Sequence, residues 1–269
     1  MTVSAVKRHG LGVLLWCWPM LALAHSPFSL ERERLPVLVA AIIWALLWLL
    51  YSWGARRVQP SALARWTFHA MTVLAGIAMF GPLDEMAETS AAMHMTQHMM
   101  MMTVIAPMAV LARPLPQFLA VLPRQVARAS RPFLTMVRYP MAMALLHAAV
   151  VWGWHVPRAY VWALENSLVH VIEHACFMIS AGLLWWAVLR SSVRGTPDAL
   201  VALLFTLMQT GFLGALLTFS GASFYGEARS IQDQQLAGLL MWVLGGAPYL
   251  AAAAWCGWRW WLRLQRAHG

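Results

Sequence analysis

The chain has 269 residues, of which 61% are hydrophobic and only 11% are charged. Soluble domains carry roughly 25% charged residues, so the composition argues against a soluble protein and favours the lipid bilayer as solvent. The net charge of +9 does not indicate a nucleic-acid-binding protein, because the arginines lie in short connections between apolar runs and form no basic stripe.

The amino terminus has the pattern of a cleavable signal peptide over residues 1–24. Lys7 and Arg8 form its basic region, an apolar core follows over residues 11–21, and Ala22-Leu23-Ala24 gives the small-x-small cleavage pattern. An uncleaved first span is the alternative, although the core is short for a span. Cleavage would make His25 the new amino terminus, where its amine and ring could together chelate copper.

Seven longer apolar runs follow, and each is long enough for a transmembrane helix. They cover residues 35–53, 66–81, 91–112, 139–155, 166–189, 199–219 and 235–261. Their continuous apolarity excludes a β-barrel, in which apolar and polar residues alternate. The sequence predicts an all-α polytopic membrane protein, with one seven-helix transmembrane domain over residues 25–269. The only lysine, Lys7, precedes every run, so no span can form a retinal Schiff base.

The distribution of arginines predicts the orientation of the spans. With the mature amino terminus outside, the cytoplasmic connections hold thirteen arginines and the outside segments hold four. The opposite orientation would invert this ratio and break the positive-inside rule. We therefore expect a bacterial inner-membrane protein with its amino terminus outside and its carboxyl terminus in the cytoplasm. The longest connection, residues 114–137, mixes apolar residues with arginines and is expected to lie along the cytoplasmic lipid surface.

The histidines are the most informative polar residues, because ionisable groups within a bilayer are costly and are usually functional. His94 and His98 open the third run, and His170 and His174 open the fifth. The i, i+4 spacing places each pair on one helix face. Both runs enter from the outside, so a rise of about 1.5 Å per residue puts the pairs in one layer. His155 ends the fourth run at the same surface, and five histidines from three helices are expected to converge as metal ligands.

Neighbouring residues favour copper as the metal. Methionines beside the first pair, Met95 and Met102 among them, are suited to cuprous ion, whereas zinc gains little from thioethers. The alternative is that methionine is an apolar filler and that the histidines form interhelical hydrogen bonds. Glu173 could offset the charge of a cation, accept the second N–H of a ligand histidine or carry protons. His147 lies about 12 Å deeper and could form a second site or a relay.

Several stretches of the mature chain combine into a recognisable pattern. They are His94-Met95-Thr96-Gln97-His98-Met99 with Ala106-Pro107 and Ala112-Arg113-Pro114, Trp154-His155-Val156-Pro157 with Tyr160, residues 170–174 with Trp185-Trp186, and residues 233–242. This pattern resembles the CtaG family, the seven-span cytochrome c oxidase assembly factors associated with caa-type oxidases. The resemblance implies a non-enzymatic role in maturing a haem–copper oxidase at copper insertion. It also implies oxidase subunits, a copper ion and the lipid bilayer as partners.

Other functions are compatible with the same residues. Histidines on facing spans can be axial ligands in a haem-binding membrane protein or a haem-modifying enzyme. Residues 170–174 also fit the H-x-x-E-H pattern of a metallopeptidase, with Glu173 as base. A copper transporter would use the outer histidines as one end of its path. It would also need metal ligands at the predicted cytoplasmic end, where His69 is the only histidine of the runs. The leading hypothesis remains an assembly factor that holds or passes copper at the outer membrane face.

Overall fold

The computed structural model describes residues 31–123, 125, 126, 128, 137–226 and 229–268. Throughout these ranges the regular structure is helical, without a strand, which confirms the all-α prediction for this part of the chain. The predicted signal peptide, residues 1–24, and His25 lie outside the described residues.

The helices follow one another with short connections. In chain order they are α1 (Glu31–Arg57), α2 (Ala62–Phe80), α3 (Pro82–Thr89), α4 (Ala91–Leu111), α5 (Leu115–Val121), α6 (Pro140–His155), α7 (Pro157–Glu165), α8 (Ser167–Leu189), α9 (Thr196–Phe219), α10 (Ile231–Leu239) and α11 (Ala247–His268). Proline begins α3, α6 and α7, at a position where its missing N–H is not needed. Side-chain caps begin α2, α4, α8 and α10, contributed by Ser61, Ser90, Asn166 and Ser230.

Five helical segments of the described chain are long and apolar enough to cross a membrane. They are α1, α2 with α3, α8, α9, and α10 with α11. A sixth is added if α4 and α5, bent by 68° at their junction, count as one span. The junction includes Arg113, whose φ of 51° is unusual for a residue other than glycine. The described residues thus contain five or six candidate membrane spans. Seven spans remain a prediction, because α6 has only 16 residues.

A π-helical turn, Met100–Ile105, interrupts α4. In it the Ala106 N–H donates to the Met101 carbonyl, five residues earlier. The Met102 carbonyl would then need a donor at position 107, but Pro107 has no N–H. The Trp185 indole of α8 supplies that hydrogen bond at 2.8 Å. One proline therefore accounts both for a local change of helix type and for a contact between α4 and α8.

The main apolar core joins α4, α6, α8, α9 and the α10–α11 segment. Helices α1 and α2 pack at its side, where the rings of Tyr51 and Phe68 stack at 3.5 Å. Helices α9 and α10 approach each other at Gly214 and Gly238, since a Cβ on Gly238 would lie 2.5 Å from the Gly214 carbonyl oxygen. This close approach brings the start of α10 beside the start of α4.

Candidate metal centre

Helices α4 and α8 bring two histidine pairs together at the predicted outer end of the bundle. The ring centroids of His94 and His98 lie 4.2 Å apart, and those of His170 and His174 lie 4.1 Å apart. Across the helices, His94 lies 5.2 Å from His170 and His98 lies 5.3 Å from His174. The four imidazoles therefore form one group, which we call the four-histidine group. Each ring contacts one ring on its own helix and one ring on the other helix.

The nitrogen atoms of this four-histidine group are suited to a metal ion. One ring nitrogen from each residue lies within 4.8 Å of the other three. Metal–nitrogen bonds of roughly 2.0–2.1 Å require ligand nitrogens no more than roughly 4.2 Å apart, so small side-chain rotations are sufficient. His94, His98 and His174 are almost completely buried, and Nε2 of each of the four rings has no hydrogen-bond partner. Buried polar atoms without partners are costly unless a ligand satisfies them.

The Glu173 carboxyl group lies beside the first histidine pair. Its Oε2 lies 3.9 Å from His94 Nε2 and 4.0 Å from His98 Nε2, which is too long for hydrogen bonds. The side chain is 1% exposed, and Oε2 has no hydrogen-bond partner. A carboxylate buried beside four imidazoles can offset the charge of a cation that these rings bind.

Neighbouring helices hold α4 in place from two sides. The Asp233 carboxylate of α10 accepts hydrogen bonds from the backbone N–H groups of Ala91 and Ala92. On the opposite side, the Gln97 amide donates to the Ala78 carbonyl and to Asp84, each at 2.7 Å. Because Gln97 lies between the two histidines of its helix, these bonds fix the rotation of the face that carries them.

Aromatic side chains close the group above and below. The Tyr160 ring of α7 lies 5.4 Å from His94 and stacks at 3.8 Å on Tyr225, in the connection between α9 and α10. Burial raises the pKa of the Tyr225 hydroxyl, which stays protonated and points to the His155 carbonyl oxygen at 3.5 Å. On the deeper side, Phe177 lies 4.6 Å from His98. The group is therefore shielded from water on both sides.

Arg229 is a buried cation at the same end of the bundle. Its side chain is 4% exposed, and Nη2 donates to the Ala87 carbonyl oxygen of α3 at 2.9 Å. The sequence analysis did not predict four of the residues that surround the site: Gln97, Tyr225, Arg229 and Asp233. Asp233 and Gln97 do lie within the stretches that carry the family resemblance, whereas no sequence signal pointed to Arg229 or Tyr225.

The other predicted site residues are not members of the four-histidine group. His155 is buried and donates from Nδ1 to the Val151 carbonyl at 2.7 Å, which leaves Nε2 without a partner. His155 is not one of the four converging rings, and its role as a fifth ligand stays a prediction. His147 lies within 2.9 Å of the Ser180 hydroxyl. Met95 and Met102 are buried in the main apolar core.

Comparison with known proteins identifies the family. The sequence model of the cytochrome c oxidase caa3 assembly factors, Caa3_CtaG, matches residues 44–263. The chain belongs to this family. Neither a curated protein nor a solved structure matches the chain. The family of cytochrome c oxidase assembly factors inferred from the motifs is thereby confirmed.

The matched Caa3_CtaG segment contains the whole candidate site. It includes the four histidines, Glu173 and Asp233, together with all helices from α2 to α10. The histidine group therefore belongs to the segment that matches the family of cytochrome c oxidase assembly factors.

Proposed function

We propose that this assembly factor holds copper in the four-histidine group and passes it to a subunit of cytochrome c oxidase. The observation that carries the proposal is the convergence of four imidazole nitrogens within 4.8 Å. In the proposed orientation, with the amino terminus outside the bacterial inner membrane, the group lies near the outer face. Copper is cargo in this account.

The ligand set favours holding an ion over catalysis on it. Catalytic zinc sites keep one position open for water or substrate, whereas here four imidazoles surround the same point and Glu173 is 1% exposed. A metallopeptidase using His170, Glu173 and His174 would need peptide to reach this buried carboxylate. A haem needs one axial ligand on each of its faces, and four rings packed at 4.1–5.3 Å leave no space for a porphyrin between them.

The choice of copper rests on two further points. Imidazole binds copper in either oxidation state, and the thioethers of Met95 and Met102, on the same helix as His94 and His98, are ligands of the kind that cuprous ion accepts. The family acts in the assembly of cytochrome c oxidase, and a haem–copper oxidase requires copper. We assign His94, His98, His170 and His174 as ligands, Glu173 as the counter-charge, and Met95 and Met102 as accessory groups.

Release of the ion requires a ligand outside the group. His155 is proposed for this role because its Nε2 is unpartnered while Nδ1 is fixed by the Val151 carbonyl. The Phe177 ring lies near both residues, 4.6 Å from His98 and 6.2 Å from His155. His147 is proposed as a deeper supporting residue, with its ring oriented by Ser180.

Metal analysis of the purified protein tests the binding step. Wild type is expected to retain about one copper per chain after exposure to cuprous ion and removal of excess. The double variant His98→Ala/His174→Ala should retain almost none, since two of the four ligands are gone. His69→Gln is the matched control, because it removes an imidazole at the opposite end of the bundle and should keep wild-type copper. Equal copper in the double variant and in wild type would disprove the assignment.

Oxidase maturation in cells tests the cellular role. In cells that lack this protein, we expect low cytochrome c oxidase activity, restored by wild type and not by His98→Ala/His174→Ala. Added copper should restore part of the activity if the missing step is copper supply. Full restoration by the copper-free double variant would separate assembly from metal binding and refute the transfer role.

A further inference from the structure

A second polar site lies at the opposite, predicted cytoplasmic end of the bundle. There the end of α1 and the start of α2 border an open cavity of about 310 Å³. We call it the α1–α2 cavity, and its lining residues are Ser52, Ala55, Arg56, Gln59, Arg65 and His69. Nothing in the copper proposal uses this cavity.

The charges around the α1–α2 cavity are uncompensated within the described part of the chain. Arg56 and Arg65 both line it, and neither forms an ion pair with a described carboxylate. Of the ten acidic residues in the sequence, Asp198 alone falls in a predicted cytoplasmic connection. Both guanidinium groups are exposed, so each can contact an anion that enters the cavity.

Hydrogen bonding at His69 argues for an anion and against a metal. The Trp48 indole donates to His69 Nδ1 at 2.9 Å. An indole N–H only donates, so Nδ1 must be the accepting nitrogen and the proton of the neutral ring is on Nε2. The ring therefore has no free lone pair for a metal and offers an N–H donor instead. The Gln59 amide adds a further donor to the lining, whereas the Ser52 hydroxyl already donates to the Trp48 carbonyl oxygen at 2.8 Å.

The surroundings of the cavity identify the source of the anion. Trp53 and Trp66, at the same helix ends, are 51% and 71% exposed, as is typical of tryptophan at a membrane–water interface. Helix α5 packs against this end of α1 and is joined to it by two hydrogen bonds: Arg57 donates to the Ala120 carbonyl, and Gln117 donates to the Val58 carbonyl. Basic pockets between spans on the cytoplasmic side bind lipid head groups. We propose that the α1–α2 cavity binds the phosphate of an anionic phospholipid.

Native mass spectrometry of the purified protein tests this proposal. The protein is equilibrated in detergent containing equal phosphatidylglycerol and phosphatidylcholine, and the lipid that stays bound is identified. Wild type should retain phosphatidylglycerol, and Arg56→Gln/Arg65→Gln should retain about tenfold less. Arg263→Gln/Arg266→Gln is the matched control, because it removes the same charge at the end of α11 and should retain as much as wild type.

Two results would overturn the proposal. One is retention of phosphatidylglycerol by Arg56→Gln/Arg65→Gln at the wild-type level; the other is an equal loss in both double variants, which would indicate a general effect of charge. Inorganic phosphate at millimolar concentration should not displace the lipid from wild type. Displacement would identify free phosphate as the ligand and reject a lipid. If the double variant is not recovered folded, Arg65→Gln alone is measured, and it should retain less phosphatidylglycerol than Arg263→Gln.

Discussion

The Ser90 hydroxyl of α4 donates a hydrogen bond to the Asp233 carboxylate of α10 at 2.8 Å. The same carboxylate accepts from two backbone N–H groups of the first turn of α4, and a negative charge there is favourable because the amino end of a helix carries partial positive charge. His94 follows within the next turn. The position of the first histidine pair therefore depends on a residue that is 139 positions further along the chain.

Replacing Asp233 should weaken metal binding without removing any ligand. We expect Asp233→Ala to lower the free energy of unfolding by about 1–2 kcal/mol, as for loss of a helix cap, and to lower copper affinity because α4 is no longer fixed. Asp198→Ala is the control, since Asp198 lies in the first turn of α9, at the other end of the bundle. Chelator competition measures the affinity; equal affinities in the two variants would show that the cap does not position the site.

Removing the charge of Glu173 should reduce the affinity for a cation. Two unit charges about 4 Å apart interact by about 4 kcal/mol at an effective dielectric constant of 20, and the carboxylate is buried. Glu173→Gln should therefore bind copper at least about tenfold more weakly than wild type in a chelator competition. Glu165→Gln removes an exposed carboxylate at the end of α7 and should have no effect. Unchanged affinity in Glu173→Gln would show that the ion does not interact with this carboxylate.

The Trp185 indole is expected to be important for stability. In Trp185→Phe the buried Met102 carbonyl loses its donor, at a cost of about 1–3 kcal/mol. Trp186→Phe is the neighbouring control, because Trp186 is partly exposed and stacks against Arg190. Thermal unfolding in detergent should show a clearly lower Tm for Trp185→Phe alone. If both variants unfold at the same temperature, the hydrogen bond does not compensate for the missing proline N–H.

Much of this arrangement follows from local sequence pattern. Several apolar runs begin and end within a few residues of the observed helices; residues 91–112 correspond to α4 and residues 166–189 to α8. The i, i+4 spacing of each histidine pair fixes a shared helix face, so the pairing in one layer could be predicted. The fourth apolar run corresponds to α6, which has only 16 residues. It ends at His155 because Val156 caps a new helix that begins at Pro157.

The contacts between distant segments could not be predicted in the same way. The capping of α4 by Asp233 and the bond from Trp185 to Met102 each join residues more than 80 positions apart. No periodicity of one helix specifies which neighbour it meets. His155 illustrates the limit, because the direction of its ring depends on the hydrogen bond from Nδ1 to the Val151 carbonyl oxygen, which the sequence does not specify.

The approach of α9 to α10 should be sensitive to a single methyl group. A Cβ on Gly238 would lie 2.5 Å from the Gly214 carbonyl oxygen and 2.7 Å from the Thr218 nitrogen, so Gly238→Ala must push backbone apart. We expect a loss of about 1–3 kcal/mol in stability. Gly182 is also helical, but a Cβ there would have open space within 4 Å, and Gly182→Ala should be neutral or slightly stabilising. Denaturant unfolding compares the two; a neutral Gly238→Ala would contradict the close approach.

X-ray absorption at the copper edge of the loaded protein tests the central claim most directly. Four imidazole ligands predict nitrogen scatterers at roughly 2.0–2.1 Å with the multiple-scattering pattern of histidine rings. In His98→Ala/His174→Ala that pattern should be lost along with the metal. A first shell made mainly of sulfur, or a histidine pattern that persists in the double variant, would contradict the assignment of copper to His94, His98, His170 and His174.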